Sequence, residues 1–201
     1  QYSRYVIDLN RDPSGKPLYE DGRTTTQLVP THTFFRQPLY PQMLPTDEDI
    51  QLRKERFFYP YHLQLREELQ QLQKTFSHVL LWDAHSIRQF VPTIREDPFP
   101  DLILGSQNGC SASSELIRIA VSHLSEDKTY DFRENDPFKG GYITRHYGNP
   151  HQGIHALQLE MAKSLYMDEE TSTYIPNCAA KIRTILIETL TALANKLKIQ
   201  V

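Results

Sequence analysis

Apolar and polar positions alternate along this chain in blocks of different period. Tyr5, Val6, Ile7 and Leu9 predict a first strand over residues 5–9, followed by a polar stretch bearing Pro and Gly over 11–34. That stretch is too long for a simple connection, which makes it a candidate lid or binding loop. From Thr46 onward apolar residues recur at helical spacing, with Thr46 as predicted N-cap and Asp47, Glu48 and Asp49 in the first turn. Pro60 should kink or divide this helix, because it lacks the amide hydrogen that the ladder needs.

The run HVLLW, residues 78–82, predicts a buried strand that empties into an Asp83-Ala84-His85-Ser86 turn. Residues 100–106 predict a second short strand and 111–126 an amphipathic helix; 130–136 and 140–148 read as strands, and 155–167 as a late strand. A closing helix is expected over 179–198, with lysines in its last turn. Strands alternating with helices predict an α/β domain with a mostly parallel mixed sheet flanked by helices.

Composition narrows the class. The chain has 201 residues, 39% of them hydrophobic, and a net charge of -3, as expected of one soluble domain with a real core. Its longest apolar stretch, near residues 184–194, is interrupted by polar groups and falls short of the roughly 18 residues a membrane span needs. No basic blocks occur, so nucleic acid is not expected as a partner. Cys110 and Cys178 lie far apart without CxxC spacing and are expected to be free thiols in a cytoplasmic setting.

Polar groups gather where apolar runs stop: Asp8, Asn10 and Arg11; Asp83, His85 and Ser86; Thr144, Arg145 and His146; Gln158 and Glu160. In a parallel sheet such strand ends converge on one crevice. Gln158 and Glu160 share one face of the late strand, while Leu157 and Leu159 take the other. His146 would point away from Arg145 and is expected to be structural, and His151 and His155 read as loop residues. His32, in the long loop, stands where it could close over a ligand.

Five ordered segments, RYVIDLNRD, LLWDAHS, PDLILGSQNG, GGYITRHYGNP and HALQLEMAKSLYM, together resemble the N-formylglutamate amidohydrolase family. The resemblance runs from Arg4 to the closing helix. It implies a deformylase that splits N-formyl-L-glutamate into glutamate and formate at the end of one route of histidine degradation. The family's N-terminal part, with its Pro-His-Ser-Gly motif, is not found, so residues 1–201 are expected to form one amidohydrolase domain lacking its N-terminal segment.

VIDLNRD and LWDAHS are also similar to the Asp-x-Asn-Arg and Asp-x-His-Ser segments of zinc carboxypeptidases. This implies a hydrolase fold of the zinc-carboxypeptidase type, within the broader phosphorylase/hydrolase-like group, and zinc or another divalent metal as cofactor. By the same resemblance His85 falls on a metal-ligand position and Glu160 on that of the general base. Asn10 and Arg11 would bind substrate, joined by Arg145, since guanidinium groups grip carboxylates through paired hydrogen bonds. Asp8 and Asp83 would orient metal-bound histidines from behind. The partner is then a small molecule with two carboxylates, with no nucleic acid and no membrane; oligomeric state stays open. A related acyl-amino-acid hydrolase or carboxypeptidase is the alternative enzyme, and a non-catalytic binder of acidic ligands the alternative of another class.

Overall fold

The computed structural model describes residues 2–19 and 26–198. Part of the long loop, residues 20–25, therefore lies outside the described residues. Helix α1 (Asp47–Arg53) begins at a capping box: the Thr46 hydroxyl accepts from the Asp49 amide at 3.2 Å, and Asp49 accepts from the Thr46 amide at 3.0 Å. It runs through a widened π turn, Lys54–Phe58, into α2 (Tyr59–Gln73). Pro60 sits at the start of α2, so the predicted interruption takes the form of a wider turn and the helix continues.

Four strands follow: β1 (Val79–Ile87), β2 (Leu102–Gly105), β3 (Phe132–Glu134) and β4 (Ile154–Ala162). They lie in the order β1-β4-β2-β3, with β1·β4 and β2·β3 parallel and β2·β4 antiparallel. This is the mostly parallel mixed sheet that the alternation predicts. Helices α3 (Ser114–Leu124) and α5 (Pro176–Lys198) cover one face, packing Leu116, Leu124, Ile182 and Leu193 onto Leu102, Leu104, Leu157 and Leu159. The opposite face meets α2 and a short helix α4 (Tyr142–Tyr147) at the N-terminal ends of β1 and β4, through Leu69, Val79, Ile143 and Tyr147.

Three predicted elements come out differently. Residues 5–9 form no strand: turns at Arg4–Val6 and Leu9–Asn10 flank Ile7 and Asp8. The apolar pattern there reports burial alone: Ile7 packs with Leu28, Val29 and Phe58, while the Asp8 carboxylate takes the Asn10 amide at 3.1 Å and bends the chain. The Asp83–Ser86 turn is absent, because β1 stays paired to Gln158–Ala162 of β4 up to Ile87, and ladder bonds outweigh weak local strand propensity. The predicted strand over 140–148 is helix α4, whose buried Ile143, Thr144 and Tyr147 follow helical spacing. Of the histidines, His155 is no loop residue: it lies inside β4, 1% exposed, with its ring against His78 and its Nδ1 accepting from the Ser113 amide.

Candidate active site

The sheet face free of α3 and α5 carries the polar cluster. In β1 the alternating residues Asp83 and His85 point to it; in β4, Gln158 and Glu160 do so, in register with Asp83 and His85 respectively. Neighbouring strands lie about 4.8 Å apart, so His85 and Glu160 stand side by side. A cavity of about 1030 Å³ opens over them, lined also by Asn10, Arg11, Gly141 and Lys163. Its far wall is apolar, built from Phe34, Ile87, Val91, Phe99 and Phe138.

Asn10 ties three elements together. It is buried, its Nδ2 lies 3.0 Å from Asp83 Oδ2 and 3.0 Å from His85 Nε2, and its Oδ1 accepts from the Ile143 amide at 2.7 Å. Its backbone carbonyl takes the Tyr142 amide at 3.4 Å, and Gln158 Oε1 takes the Gly141 amide at 2.7 Å. The orphan donors at the start of α4 are thus satisfied by site residues, which is why GGYITRHYG is helical here. Close approach makes glycine necessary at 141, where an added Cβ would stand 2.4 Å from Asn10 Oδ1.

Electrostatics sort the acids. Burial favours a neutral Asp8, but the charges of Arg11 and Arg4, with hydrogen bonds donated to its carboxylate by the Arg4 side chain and the Asn10 amide, hold it below the usual carboxylate range. Burial pushes the Glu160 carboxyl up to about 7, against the pull of His85, Arg4 and Arg11. For His85 burial opposes the charged ring, yet the hydrogen bond from Nε2 to Asp83 at 2.8 Å, with the charges of Asp83 and Glu160, raises its pKa. Glu160 therefore changes protonation near neutrality, as suits a general base.

The arginines are placed differently. Arg11 lines the cavity, and its fork is anchored: Nε and Nη2 donate to Thr26 at 2.9 and 2.7 Å, and Nη1 to the Asn10 carbonyl at 2.9 Å. Arg145 is not among the cavity-lining residues. It sits on α4, where Nε donates to the Gly140 carbonyl at 2.8 Å and Nη1 to that of Leu18 at 2.6 Å, with the guanidinium 5.0 Å over the Tyr19 ring. His32 lines the cavity from a small hairpin, whereas His146 is exposed and stacks on Tyr142. Asp8, Asn10, Arg11, Asp83, His85 and Glu160 are brought together, and Arg145 stands behind Tyr19.

Residues 1–167 match the model of a family described as N-formylglutamate amidohydrolase. The chain belongs to the N-formylglutamate amidohydrolase family. It is 43% identical over 195 residues to N-formylglutamate deformylase of Pseudomonas putida, and 41% identical over 194 residues to that of Pseudomonas aeruginosa. Each alignment covers 96% of this chain and 72% of the relative. The crystal structure of an N-formylglutamate amidohydrolase from Ralstonia eutropha superposes with a TM-score of 0.80 at 25% identity, over 98% of this chain and 76% of that one. A gene product of Agrobacterium tumefaciens shares the fold at 18% identity, with a TM-score of 0.69 over 97% of this chain and 69% of that one.

A catalytic zinc takes about three protein ligands and keeps one position open. Among the described residues no three His, Cys, Asp or Glu side chains are grouped to hold a metal ion, and His85 Nε2 is already engaged by Asp83 and Asn10. The donor set of the described residues does not by itself fit a zinc site.

Gln158 and Lys163 also line the cavity. Gln158 belongs to a polar cluster expected at the crevice, where the sequence assigns it no role. Lys163 follows the end of β4 and has no ion-pair or hydrogen-bond partner for its ammonium among the described residues. Its signal was positional, three residues beyond Glu160.

Proposed function

We propose that this protein hydrolyses N-formyl-L-glutamate to L-glutamate and formate. Family membership supports the substrate, and the observation that carries the chemistry is Glu160: a carboxyl held near neutral pKa on the floor of a cavity, beside His85 and next to the Asn10–Arg11 pair. Glu160 takes a proton from the attacking water and returns it to the leaving amine. Arg11, Asn10 and Arg145 hold the glutamate part, Arg145 through the Gly140 and Leu18 carbonyls it tethers. Asp8 keeps Arg11 charged and in place, and Asp83 fixes the His85 ring.

Zinc, or another divalent cation, enters this reading only through His85 as one ligand; metal analysis of the parent and His85→Ala proteins tests it. The same reading places the protein in the cytoplasm, in histidine degradation. A second reading, hydrolysis of a bulkier acyl-amino acid, is favoured by the apolar wall around Phe34, Val91, Phe99 and Phe138. Formate release from N-formyl-L-glutamate, set against N-acetyl and longer N-acyl glutamates, separates them. Faster turnover of the longer acyl groups would replace the first reading with the second.

A further inference from the structure

Gln158 is 6% exposed and lines the cavity. Its amide orientation is settled by chemistry: the Gly141 N–H, at 2.7 Å, can only donate, so the atom facing it is the oxygen. The amino group is thereby turned away from Gly141, and it has no hydrogen-bond partner among the described residues. Among the described residues the enclosed side-chain polar atom without a partner is Thr144 Oγ1, so the Gln158 amino group is not sealed in the interior but is reached from the cavity, where a ligand can take its hydrogen bond. The ligand side is the cavity face of β4, which also holds Glu160 two residues on; beside the opposite β2 position, Gly105, the space is filled by the Lys139–Gly140 backbone.

We propose that Gln158 is a catalytic residue whose side-chain Nε2–H donates to the oxygen of the scissile amide. This rests on the amide-hydrolysis reading of the site. Residues two apart in a strand are separated by about 6.6 Å, roughly the span of a water and a carbonyl set end to end. Water held by Glu160 attacks the carbonyl carbon, the C=O π pair moves onto oxygen, and the Gln158 donor stabilises that charge. When the C–N bond breaks, the pair returns to the carbonyl and the amine leaves with the proton from Glu160. The Gly141 amide polarises the Gln158 carbonyl and holds the donor still, which is what stabilising a developing oxyanion requires. A neutral donor suits this oxygen, while Arg11 lines the same cavity as the cation for a substrate carboxylate.

Two variants test the assignment. Measured at pH 9, where a carboxyl at this position is ionised and can only accept, Gln158→Glu keeps an acceptor for the Gly141 amide and removes the donor; Gln158→Met keeps the volume and removes both. Both are expected to lower kcat about a hundredfold with KM changed less than about threefold. Normal activity in Gln158→Glu with loss in Gln158→Met would make the residue a support for Gly141 only and overturn the proposal. Loss confined to Gln158→Glu would assign the effect to added charge and also overturn it. A raised KM with unchanged kcat in both would move the donor to a ground-state contact, against the proposal. Kinetics are measured on N-formyl- and N-acetyl-amino acids together. Turnover of another acyl-amino acid but not N-formylglutamate refutes the substrate reading while still judging Gln158, and no amide hydrolysis at all refutes both.

Discussion

Replacing Glu160 by Gln separates catalysis from stability in opposite directions. The amide has nearly the shape of the protonated acid but cannot accept a proton, so turnover should fall by about a hundredfold or more. Folding should gain. In the folded chain the carboxyl is pushed from 4.5 up to about 7, so between these pH values the native state holds a proton that the unfolded chain has released. Stability then falls as pH climbs through that window, by up to about 3 kcal/mol at 1.36 kcal/mol per pH unit. Glu160→Gln removes this penalty. At pH 8 the variant is expected to be more stable than the parent by about 2–3 kcal/mol, which is several degrees in Tm for a chain of this size. At pH 4 both states of the parent are protonated and the difference should vanish. Urea unfolding at the two pH values reads it directly. Equal stabilities at pH 8, or the same gain at pH 4, would refute burial as the origin of the Glu160 shift.

Because the base must be deprotonated, log kcat/KM should rise with unit slope on the acid side and level off above about 7, and a flat profile between pH 5 and 7 would exclude Glu160 as the base. Gly141→Ala places a methyl 2.4–2.6 Å from the Asn10 amide, so it should cost about 1–3 kcal/mol in unfolding experiments and lower activity, whereas a neutral outcome would show that Asn10 is free to move. Arg11→Lys should raise KM for N-formylglutamate more than Arg145→Lys, since Arg11 lines the cavity and Arg145 acts through Gly140 and Leu18; the reverse order would place Arg145 against the substrate.

The helices capped by Thr46 and Ser113, the strand formers of β1, β2 and β4, and the shared face of Gln158 and Glu160 were all legible in the sequence. Each depends on local periodicity or on a cap within three residues, where local energetics decide. The grouping of His85, Glu160, Asn10 and Arg11 came from motif resemblance, and the fold supplies its physical reason in the parallel β1·β4 register. What tertiary structure alone decided was how competing local preferences resolved. Aromatic and β-branched residues made 140–148 read as a strand, but amide groups of Asn10 and Gln158, distant in sequence, cap it as a helix. Asp-Ala-His-Ser read as a turn, but a matching strand carried β1 on to Ile87. Arg145 and Arg11 look equivalent along the chain, and only packing against Tyr19 and Thr26 separates them. Residue type sets what a side chain is able to do; contacts across the fold, whose bonds and burial outweigh propensities of a few tenths of a kcal/mol, set whether it faces the cavity.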